Sequence, residues 1–180
     1  MDDKDLLALF REEGKEHYAF NLIVQKYGER LYWHIRKMVA SHDDANDLLQ
    51  NSLVKAWKAL PGFREESRLF TWLYRITTNE VLTFLKKRQL RSFLSLTDYS
   101  GKLENVLESD IYFNGDSAKK ALHKAVLRLP EKQRVVFNLR YFEEMKYEDI
   151  SEILGTSVGA LKASYHHAAK KIENSLQELL

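Results

Sequence analysis

The sequence predicts an all-α protein made of two small helical domains that are joined by a flexible acidic linker. Only seven glycines and two prolines interrupt its 180 residues. Apolar residues recur at steps of three and four through most of the chain, which is the spacing of helices with one buried face. This periodicity fails over 92–116, where small polar residues and glycine cluster. We therefore expect domains over 1–92 and 117–180, with the linker over 93–116.

Composition excludes several classes of protein. The chain has no cysteine, so disulfides and cysteine-ligated zinc are excluded. Its formal net charge of +2 is too mild for tight, sequence-blind binding of nucleic acid by the free chain. The acidic start, MDDKDLLALF, lacks the apolar core of a secretory signal, and no apolar run reaches the length of a membrane span. We expect a soluble cytoplasmic protein.

Two helices are predicted before residue 41, over residues 2–13 and 16–40. The apolar positions of the second helix fall on one face at helical spacing. They are Phe20, Ile23, Tyr27, Leu31, Ile35 and Met38. We expect this stripe to pack in a core, and we assign it no chemistry.

A third predicted helix begins in the turn at 41–44 and runs to about Leu60, where a Pro-Gly pair ends it. One face of this helix is apolar and is expected to be buried. The polar residues of the opposite, outer face are Asp47, Gln50, Asn51, Lys55 and Lys58.

Acidic residues at the start of the third helix allow an alternative hypothesis. Asp43, Asp44 and Asp47 form a D-D-x-x-D pattern, which holds magnesium and diphosphate in helical prenyl-transfer enzymes. Acidic residues also favour the positive end of a helix, and the sequence has no second acidic motif at helical spacing. We therefore favour capping, and we expect no metal site, no cofactor and no catalytic residue.

The stretch from Phe63 to Arg91 is basic, with seven basic residues against three acidic ones from Arg64 onwards. Its polar positions recur at helical steps along one side. They are Arg68, Trp72, Arg75, Asn79 and Lys86, and Lys87 extends the charge. Cations hold phosphates, an indole stacks on an exposed base and an amide pairs with a base edge, so this side suits nucleic acid. The alternative is a core tryptophan beside a solvated basic face.

Beyond this stretch the charge reverses, because residues 97–116 carry five acidic residues against one lysine. This acidic segment is the predicted linker. Helical spacing resumes over 117–129, and Pro130 suits the first turn of a further helix over about 131–142.

Residues 146–172 predict a short helix, a break at Gly155 and a longer helix. Glycine suits the left-handed position that ends the first helix, and the hydroxyl of Thr156 or Ser157 can cap the second. The second helix has an apolar stripe at steps of three and four. This stripe contains Val158, Leu161, Tyr165, Ala168 and Ile172. The arrangement is typical of a helix-turn-helix.

The other side of the second helix is small at its start and cationic or hydrogen-bonding further along. It carries Ser157, Gly159, Lys162, Ala163, His166, His167 and Lys170. Small residues let a helix lie deep in a groove, where lysine and histidine reach bases or phosphates. An ordinary helical hairpin with a solvated face is the alternative. Adjacent histidines point about 100° apart on a helix, so we expect no metal there.

Three stretches of the sequence, in this order and spacing, resemble a known family. They are DDANDLLQNSLVKAWKALPGF, FTWLYRITTNEV and LPEKQRVVFNLRYFEEMKYEDISEILGTSVGALKASYHHAAKKI. The chain is similar over nearly its whole length to bacterial RNA polymerase sigma factors of the extracytoplasmic-function type. The second stretch is highly specific, whereas the third alone would indicate only a broad helix-turn-helix class.

The resemblance implies roles for the polar faces. The outer face of the third helix would bind the beta-prime clamp helices of core RNA polymerase. The loop near 63–70 would capture a flipped base of the −10 promoter element. The residues implied in −10 binding and melting are Arg64, Ser67, Trp72, Arg75, Asn79, Lys86 and Lys87. The helix from Ser157 would read the −35 element in the major groove.

The family also implies partners. These are core RNA polymerase, including its beta flap, promoter DNA, and an anti-sigma protein that is often membrane-anchored, with no small-molecule substrate. The chain departs from the family where arginines usually stand, at Ser164, His167 and Ala169, and at Asn51, where glutamate is common. We expect weaker phosphate anchoring and a different −35 preference.

Two other classes of function remain open from the sequence. A stand-alone helix-turn-helix regulator would leave the basic stretch over 63–91 unexplained, and a magnesium-dependent enzyme would rest on Asp43, Asp44 and Asp47 alone. Because each domain offers one weak DNA-binding surface, we expect polymerase to present both surfaces together.

Overall fold

The computed structural model describes residues 1–95 and 115–179, and within these residues the regular elements are all helical. The prediction of an all-α protein is confirmed. The helices are α1 (Asp3–Phe10), α2 (Glu16–Val39), α3 (His42–Ala59), α4 (Leu69–Ser95), α5 (Ser117–Leu127), α6 (Glu131–Phe137), α7 (Tyr147–Leu154) and α8 (Val158–Leu179). A 3-10 turn, Leu60–Gly62, follows α3, and a π-helical segment, Asn138–Phe142, follows α6.

Side-chain caps explain where several helices begin. The Asp2 carboxylate accepts a hydrogen bond from the Asp5 backbone N–H at 2.8 Å at the start of α1. The Ser41 hydroxyl accepts from the Asp44 N–H at 3.2 Å before α3, and the Asp116 carboxylate accepts from the Lys119 N–H at 2.9 Å before α5. Each cap satisfies an N–H group that has no partner within its helix.

The N-terminal half is built around α2, which α1, α3 and α4 contact. The predicted stripe of α2 is buried, with Ile23, Leu31, Ile35 and Met38 almost without exposure. Trp57 of α3 joins the helices, because its ring meets Phe10 of α1 and Phe20 of α2 edge to face at 5.7 and 5.2 Å. These contacts explain why the apolar spacing of the sequence identified the helices correctly.

The C-terminal half has a small apolar cluster of its own, around which α5, α6 and α8 pack. Its buried members are Ala125, Val126, Leu129, Phe137, Ala168 and Ile172. Of the predicted stripe on α8, Leu161, Ala168 and Ile172 are buried, whereas Val158 and Tyr165 are half-buried.

A larger core spans both halves of the chain. Val136 and Leu139, Ile150 of α7 and Leu161 of α8 belong to the same buried cluster as Leu31 of α2. Helix α4 packs against α7, and α2 packs against α5 and the π-helical segment. The two halves therefore lie against each other in the free chain, an arrangement that the sequence did not reveal.

Several boundaries differ from the sequence-based expectations. Helix α1 ends at Phe10, three residues before its predicted end, and Pro130 is the N-cap of α6 instead of part of its first turn. Helix α4 continues to Ser95, so the predicted linker over 93–116 begins within a helix. Residues 96–114, most of that linker, lie outside the described residues. Among the described helices, none is long and apolar enough to cross a membrane.

Candidate nucleic-acid interface

The outer face of α3 carries the residues predicted to bind polymerase. Asp47, Gln50, Asn51, Lys55 and Lys58 are all exposed, as helical spacing from the buried Leu48, Ser52 and Ala56 requires. Lys55 forms an ion pair with Glu80 of α4. The side chain of Val54, in the middle of this face, is 51% exposed. The α3 outer face is thus an exposed polar surface with an apolar centre.

The acidic residues at the start of α3 lie where the sequence allowed either a helix-start role or a magnesium site. Asp43 and Asp44 lie in the first turn, where the helix dipole favours negative charge. The Asp44 carboxylate lies 3.8 Å from the guanidinium of Arg88 on α4. Within 1–95 and 115–179, no group of three acidic, histidine or cysteine side chains is arranged to hold a metal ion. The helix start and Arg88 therefore account for the positions of Asp43 and Asp44, while Ser41 supplies the capping hydrogen bond.

A loop over residues 63–68 separates the 3-10 turn from α4, at the place where a −10 binding loop was predicted. Phe63 is buried at its start, and the ring centroids of Phe63 and Trp72 lie 4.9 Å apart. Glu65 has a positive φ of 59°, and its carboxylate pairs with Arg11 of α1 at 2.6 Å. Trp72 is half-buried, so part of its side chain remains accessible to solvent.

The predicted DNA-binding residues of the loop and α4 have different exposures. Arg64, Asn79, Lys86 and Lys87 are exposed, whereas Ser67, Trp72 and Arg75 are half-buried. The Nε atom of Arg75 is buried and has no hydrogen-bond partner. The structure thus holds these residues along the loop and one helix, and it leaves most of the cationic groups accessible.

An open cleft lies between this loop and the C-terminal half. It is lined by Ser67 and Arg68 of the loop on one side, and by Asp149 and Glu152 of α7 on the other. The guanidinium of Arg68 donates to the carboxylate of Asp149 at 2.5 Å. Because the two halves of the chain pack against each other, carboxylates of α7 face the loop.

The helix-turn-helix has the predicted local geometry. Gly155 ends α7 with a left-handed backbone, φ 64° and ψ 29°. The Ser157 hydroxyl accepts a hydrogen bond from the Ala160 N–H at 3.3 Å, so Ser157 caps α8. Ile150 and Ile153 of α7 and Leu161 of α8 are buried on the inner side of the motif. The predictions for this turn are confirmed.

The outer face of α8 is free of protein contacts that would bury it. All seven residues predicted to bind the −35 element are exposed: Ser157, Gly159, Lys162, Ala163, His166, His167 and Lys170. The Lys162 ammonium lies 5.8 Å from the ring centroid of Tyr147 on α7. The rings of His166 and His167 are 5.9 Å apart and inclined by 62°. The α8 outer face therefore presents small and cationic groups to solvent.

A cluster of polar residues around the buried carboxylate of Glu143 lies between the halves, and sequence reasoning missed it. The Glu143 carboxylate, in the turn before α7, accepts hydrogen bonds from the Tyr74 hydroxyl at 2.7 Å and the Arg30 guanidinium at 3.2 Å. The Lys37 ammonium lies 3.6 Å from its other oxygen. Burial and the neighbouring Glu143 raise the pKa of Tyr74 far above its ordinary value, so the phenol stays a donor.

Arg134 of α6 adds a second buried link. Its guanidinium donates to the Met38 carbonyl at 2.8 Å and to the carbonyls of Leu127 and Leu129 at 2.7 and 3.0 Å. Burial lowers its pKa to about 10, so the group remains charged at neutral pH. Met38 lies in the last turn of α2, so the hydrogen bond from Arg134 to its carbonyl joins the two halves.

These features define an all-helical protein with a helix-turn-helix in one half and a basic, aromatic-bearing loop and helix in the other. Residues 23–91 match the family Sigma-70 region 2, and residues 119–172 match Sigma-70, region 4. The chain is 30% identical over 186 residues to the RNA polymerase sigma-H factor of Pseudomonas aeruginosa, covering 99% of this chain and 96% of that protein. It is 27% identical over 184 residues to the ECF RNA polymerase sigma-E factor of Escherichia coli K12, covering 98% and 96%.

Two solved structures share the fold. The sigma factor RpoE in complex with the anti-sigma factor NepR, from Bartonella quintana, has a TM-score of 0.69 at 23% identity, covering 88% of this chain and 96% of that one. CnrH in complex with the cytosolic domain of CnrY also has a TM-score of 0.69, at 22% identity, covering 98% and 97%. The chain belongs to the sigma-70 family of RNA polymerase sigma factors, in its extracytoplasmic-function group. It is thus a subunit that directs promoter-specific initiation of transcription. A stand-alone regulator is not favoured, because the match over 23–91 accounts for the basic stretch.

Proposed function

We propose that three surfaces of this sigma factor divide the work of initiation. The α3 outer face binds the beta-prime clamp helices of core polymerase. The 63–68 loop and α4 bind and open the −10 element, and the α8 outer face reads the −35 element beside the beta flap. The observation that carries this proposal is that all seven residues of the α8 outer face are exposed on a well-packed helix-turn-helix.

The chemistry of the α8 outer face supports a place in the major groove. Gly159 and Ala163 have small side chains, which let the helix approach the base edges closely. Lys162 and Lys170 supply charge for phosphates, and His166 and His167 supply hydrogen-bonding groups. Because only a few cations lie on this face, binding by the free chain is expected to be weak and polymerase has to add to it.

The −10 surface is supported by a combination of aromatic and cationic groups. The accessible part of the Trp72 side chain offers a stacking surface for an unpaired base, and Arg64 and Asn79 are exposed nearby in sequence. Stacking offsets part of the few kcal/mol that removing a base from the helix costs in typical systems. Lys86 and Lys87 extend the basic side of α4 for contact with the DNA backbone.

The proposal includes an inhibitory partner and a location. Both solved neighbours were determined as complexes, one with the anti-sigma factor NepR and one with the cytosolic domain of CnrY. We infer that this chain is also held by an anti-sigma protein, and that it acts in the cytoplasm, where polymerase and DNA are found. We assign it no catalytic residue, since polymerase supplies the chemistry of transcription.

Promoter-directed run-off transcription tests the proposal. Purified chain is added to core polymerase on a promoter library, and transcript starts are sequenced. Lys162→Ala is expected to weaken −35-dependent transcription and to lower the slope of log affinity against log salt by about one. Lys171→Ala is the matched control, because Lys171 is exposed and lies nine residues, or about 180°, around the same helix.

Two outcomes would contradict the proposal. One is the absence of promoter-directed transcripts over the whole library. The other is an equal effect of Lys162→Ala and Lys171→Ala, which would mean that charge anywhere on α8 suffices and that its outer face does not read DNA.

A further inference from the structure

Glu143 is a buried carboxylate that has three partners in the other half of the chain. Its side chain is 6% exposed. Tyr74 comes from α4, and Arg30 and Lys37 come from α2, whereas Glu143 precedes α7 in the C-terminal half. A buried carboxylate is stable only while such donors surround it, so separation of the halves must expose Glu143 to water.

We propose that Glu143 is a latch that holds the free sigma factor closed, and that its release is required before both promoter elements are bound. This inference rests on the proposed function, since it assigns the −10 and −35 elements to opposite halves of the chain. Glu143 is the centre of the latch, and the Arg134 bond to Met38 and the Arg68–Asp149 pair also cross between the halves.

Size requires the closed chain to open. The names of the two elements place them about 25 base pairs apart, which is roughly 85 Å at 3.4 Å per base pair. A compact chain of 180 residues has a radius of gyration of about 16 Å, and hence a diameter of about 40 Å. The closed form, with a core shared by both halves, cannot reach both elements at once.

The closed form also competes with DNA at the −10 loop. The carboxylate of Asp149 accepts a hydrogen bond from the guanidinium of Arg68, and Glu152 lines the same cleft. Carboxylates of α7 thus stand beside the loop and repel an approaching phosphate backbone. When the latch opens, α7 moves away with the C-terminal half, and this negative charge leaves with it.

The energetics of a buried carboxylate with a half-exposed arginine among its partners suit a reversible latch. Attraction between Glu143 and its donors is offset by the desolvation of the carboxylate. The cluster therefore selects the closed geometry but adds only modestly to its stability. A ligand that binds the open form better, such as core polymerase, can therefore shift the equilibrium. Glu143→Gln keeps the size and an acceptor oxygen but removes the charge, so it weakens the latch selectively.

Distance measurements in the free chain test the latch without polymerase. The chain has no cysteine, so Gln25→Cys on α2 and Glu173→Cys on α8, both exposed, introduce a unique pair of spin labels. The wild type is expected to give one narrow distribution of distances between the two labels. Glu143→Gln is expected to add a longer population and to raise the open-to-closed ratio about tenfold. Glu144→Gln, at the exposed neighbouring residue, should leave the distance unchanged.

A second pair of variants keeps the test valid if Glu143→Gln lowers stability. Asp149→Asn removes the bond to Arg68, and it is expected to lengthen the distance as well. Glu148→Gln, exposed one residue earlier on α7, is its control. Thermal unfolding followed by circular dichroism confirms that each variant is folded under the conditions of the measurement.

Transcription titrations connect the latch to function. If opening is required, Glu143→Gln should reach half-maximal run-off at a sigma concentration about tenfold lower than the wild type, and Glu144→Gln should match the wild type. An unchanged distance in a folded Glu143→Gln variant would overturn the latch, and if that variant does not fold, an unchanged distance in Asp149→Asn would overturn it. Longer distances with an unchanged titration would overturn the requirement for release. Failure of the wild type to direct transcription would count against the proposed function alone, because the distances still decide the latch.

Discussion

His34 shows how burial fixes the protonation state of a single residue. Its ring is fully buried, and Nε2 shares a hydrogen bond with the Thr78 hydroxyl at 3.0 Å. Burial lowers the pKa of His34 from 6.5 to about 4. Between pH 4 and pH 6.5, His34 is protonated in the unfolded chain but neutral in the folded chain. The contribution of His34 to stability is therefore full above pH 6.5 and falls as the pH drops towards 4.

Replacement of His34 by glutamine should make stability less dependent on pH. The wild type is expected to lose about 1.4 kcal/mol of unfolding free energy per pH unit below pH 6.5 from this residue. His34→Gln keeps a polar group that can reach Thr78 and removes the titration. Urea unfolding at pH 7 and pH 5 measures the difference, with the exposed His167→Gln as control. An equal pH dependence in His34→Gln and the wild type would contradict the assignment.

Trp72 is the residue at which packing and DNA binding meet. Because its indole lies half-buried against Phe63, truncation should remove a stacking surface worth about 1–3 kcal/mol per base. Trp72→Ala is expected to impair strand opening more than binding of the closed promoter, whereas Trp72→Phe keeps an aromatic face and should retain opening. Permanganate reactivity of the −10 region measures opening. Unchanged reactivity in Trp72→Ala would mean that the indole serves only the fold.

At the scale of the element, the turn at Gly155 sets the geometry of the helix-turn-helix. The φ of Gly155 is +64°, and an added Cβ would meet no atom within 4 Å. A substitution therefore costs backbone strain alone, and no steric clash contributes. This separates the conformational requirement of the turn from the packing of its neighbours.

Alanine substitutions at two glycines should change the free energy of unfolding in opposite directions. Gly155→Ala is expected to destabilise the chain by about 1–2 kcal/mol, because the left-handed conformation disfavours a Cβ. Gly159→Ala, in open space within α8, should stabilise it by up to about 1 kcal/mol, because alanine favours helix. Urea unfolding gives both values. Destabilisation by both substitutions would show that the space around α8 is tighter than the structure indicates.

The helix-turn-helix was predictable because its determinants are local. The stripe of α8, the glycine after α7 and the serine cap all depend on residues within a few positions of one another. The same holds for the stripe of α2. The exposed polar faces then follow by elimination, since helical spacing leaves only one side of each helix for them.

The contacts between the halves could not be predicted for the opposite reason. Glu143 and Tyr74 are separated by 69 positions, and the sequence does not distinguish a glutamate that will be buried from its exposed neighbour Glu144. Arg134 stands next to Val135 and Val136, and its burial was likewise invisible to periodicity. Long-range pairing of charges depends on the docked surfaces, which no local pattern encodes.

At the scale of the whole molecule, a shared core and exposed binding faces are compatible. The core that joins the halves contains Leu139 and Ile150 together with residues of α2 and α4, yet the outer faces of α3 and α8 remain in solvent. The two domains predicted from the sequence, over 1–92 and 117–180, therefore remain a proposal for the open form. In the closed form the halves are expected to unfold together.

One substitution in the C-terminal half tests this cooperativity. All three tryptophans lie in the N-terminal half, so their fluorescence reports on that half, whereas circular dichroism reports on all helices. Leu139 has no exposure, and Leu139→Ala is expected to cost about 2–5 kcal/mol. If the shared core makes one unit, both probes should shift together to the same lower midpoint. Leu90→Ala, at a residue 57% exposed, should shift neither midpoint.

The contradicting outcome is a tryptophan transition that stays in place while the circular dichroism signal gains an earlier step. It would mean that the halves unfold separately. Their contact would then be too weak to oppose opening by polymerase.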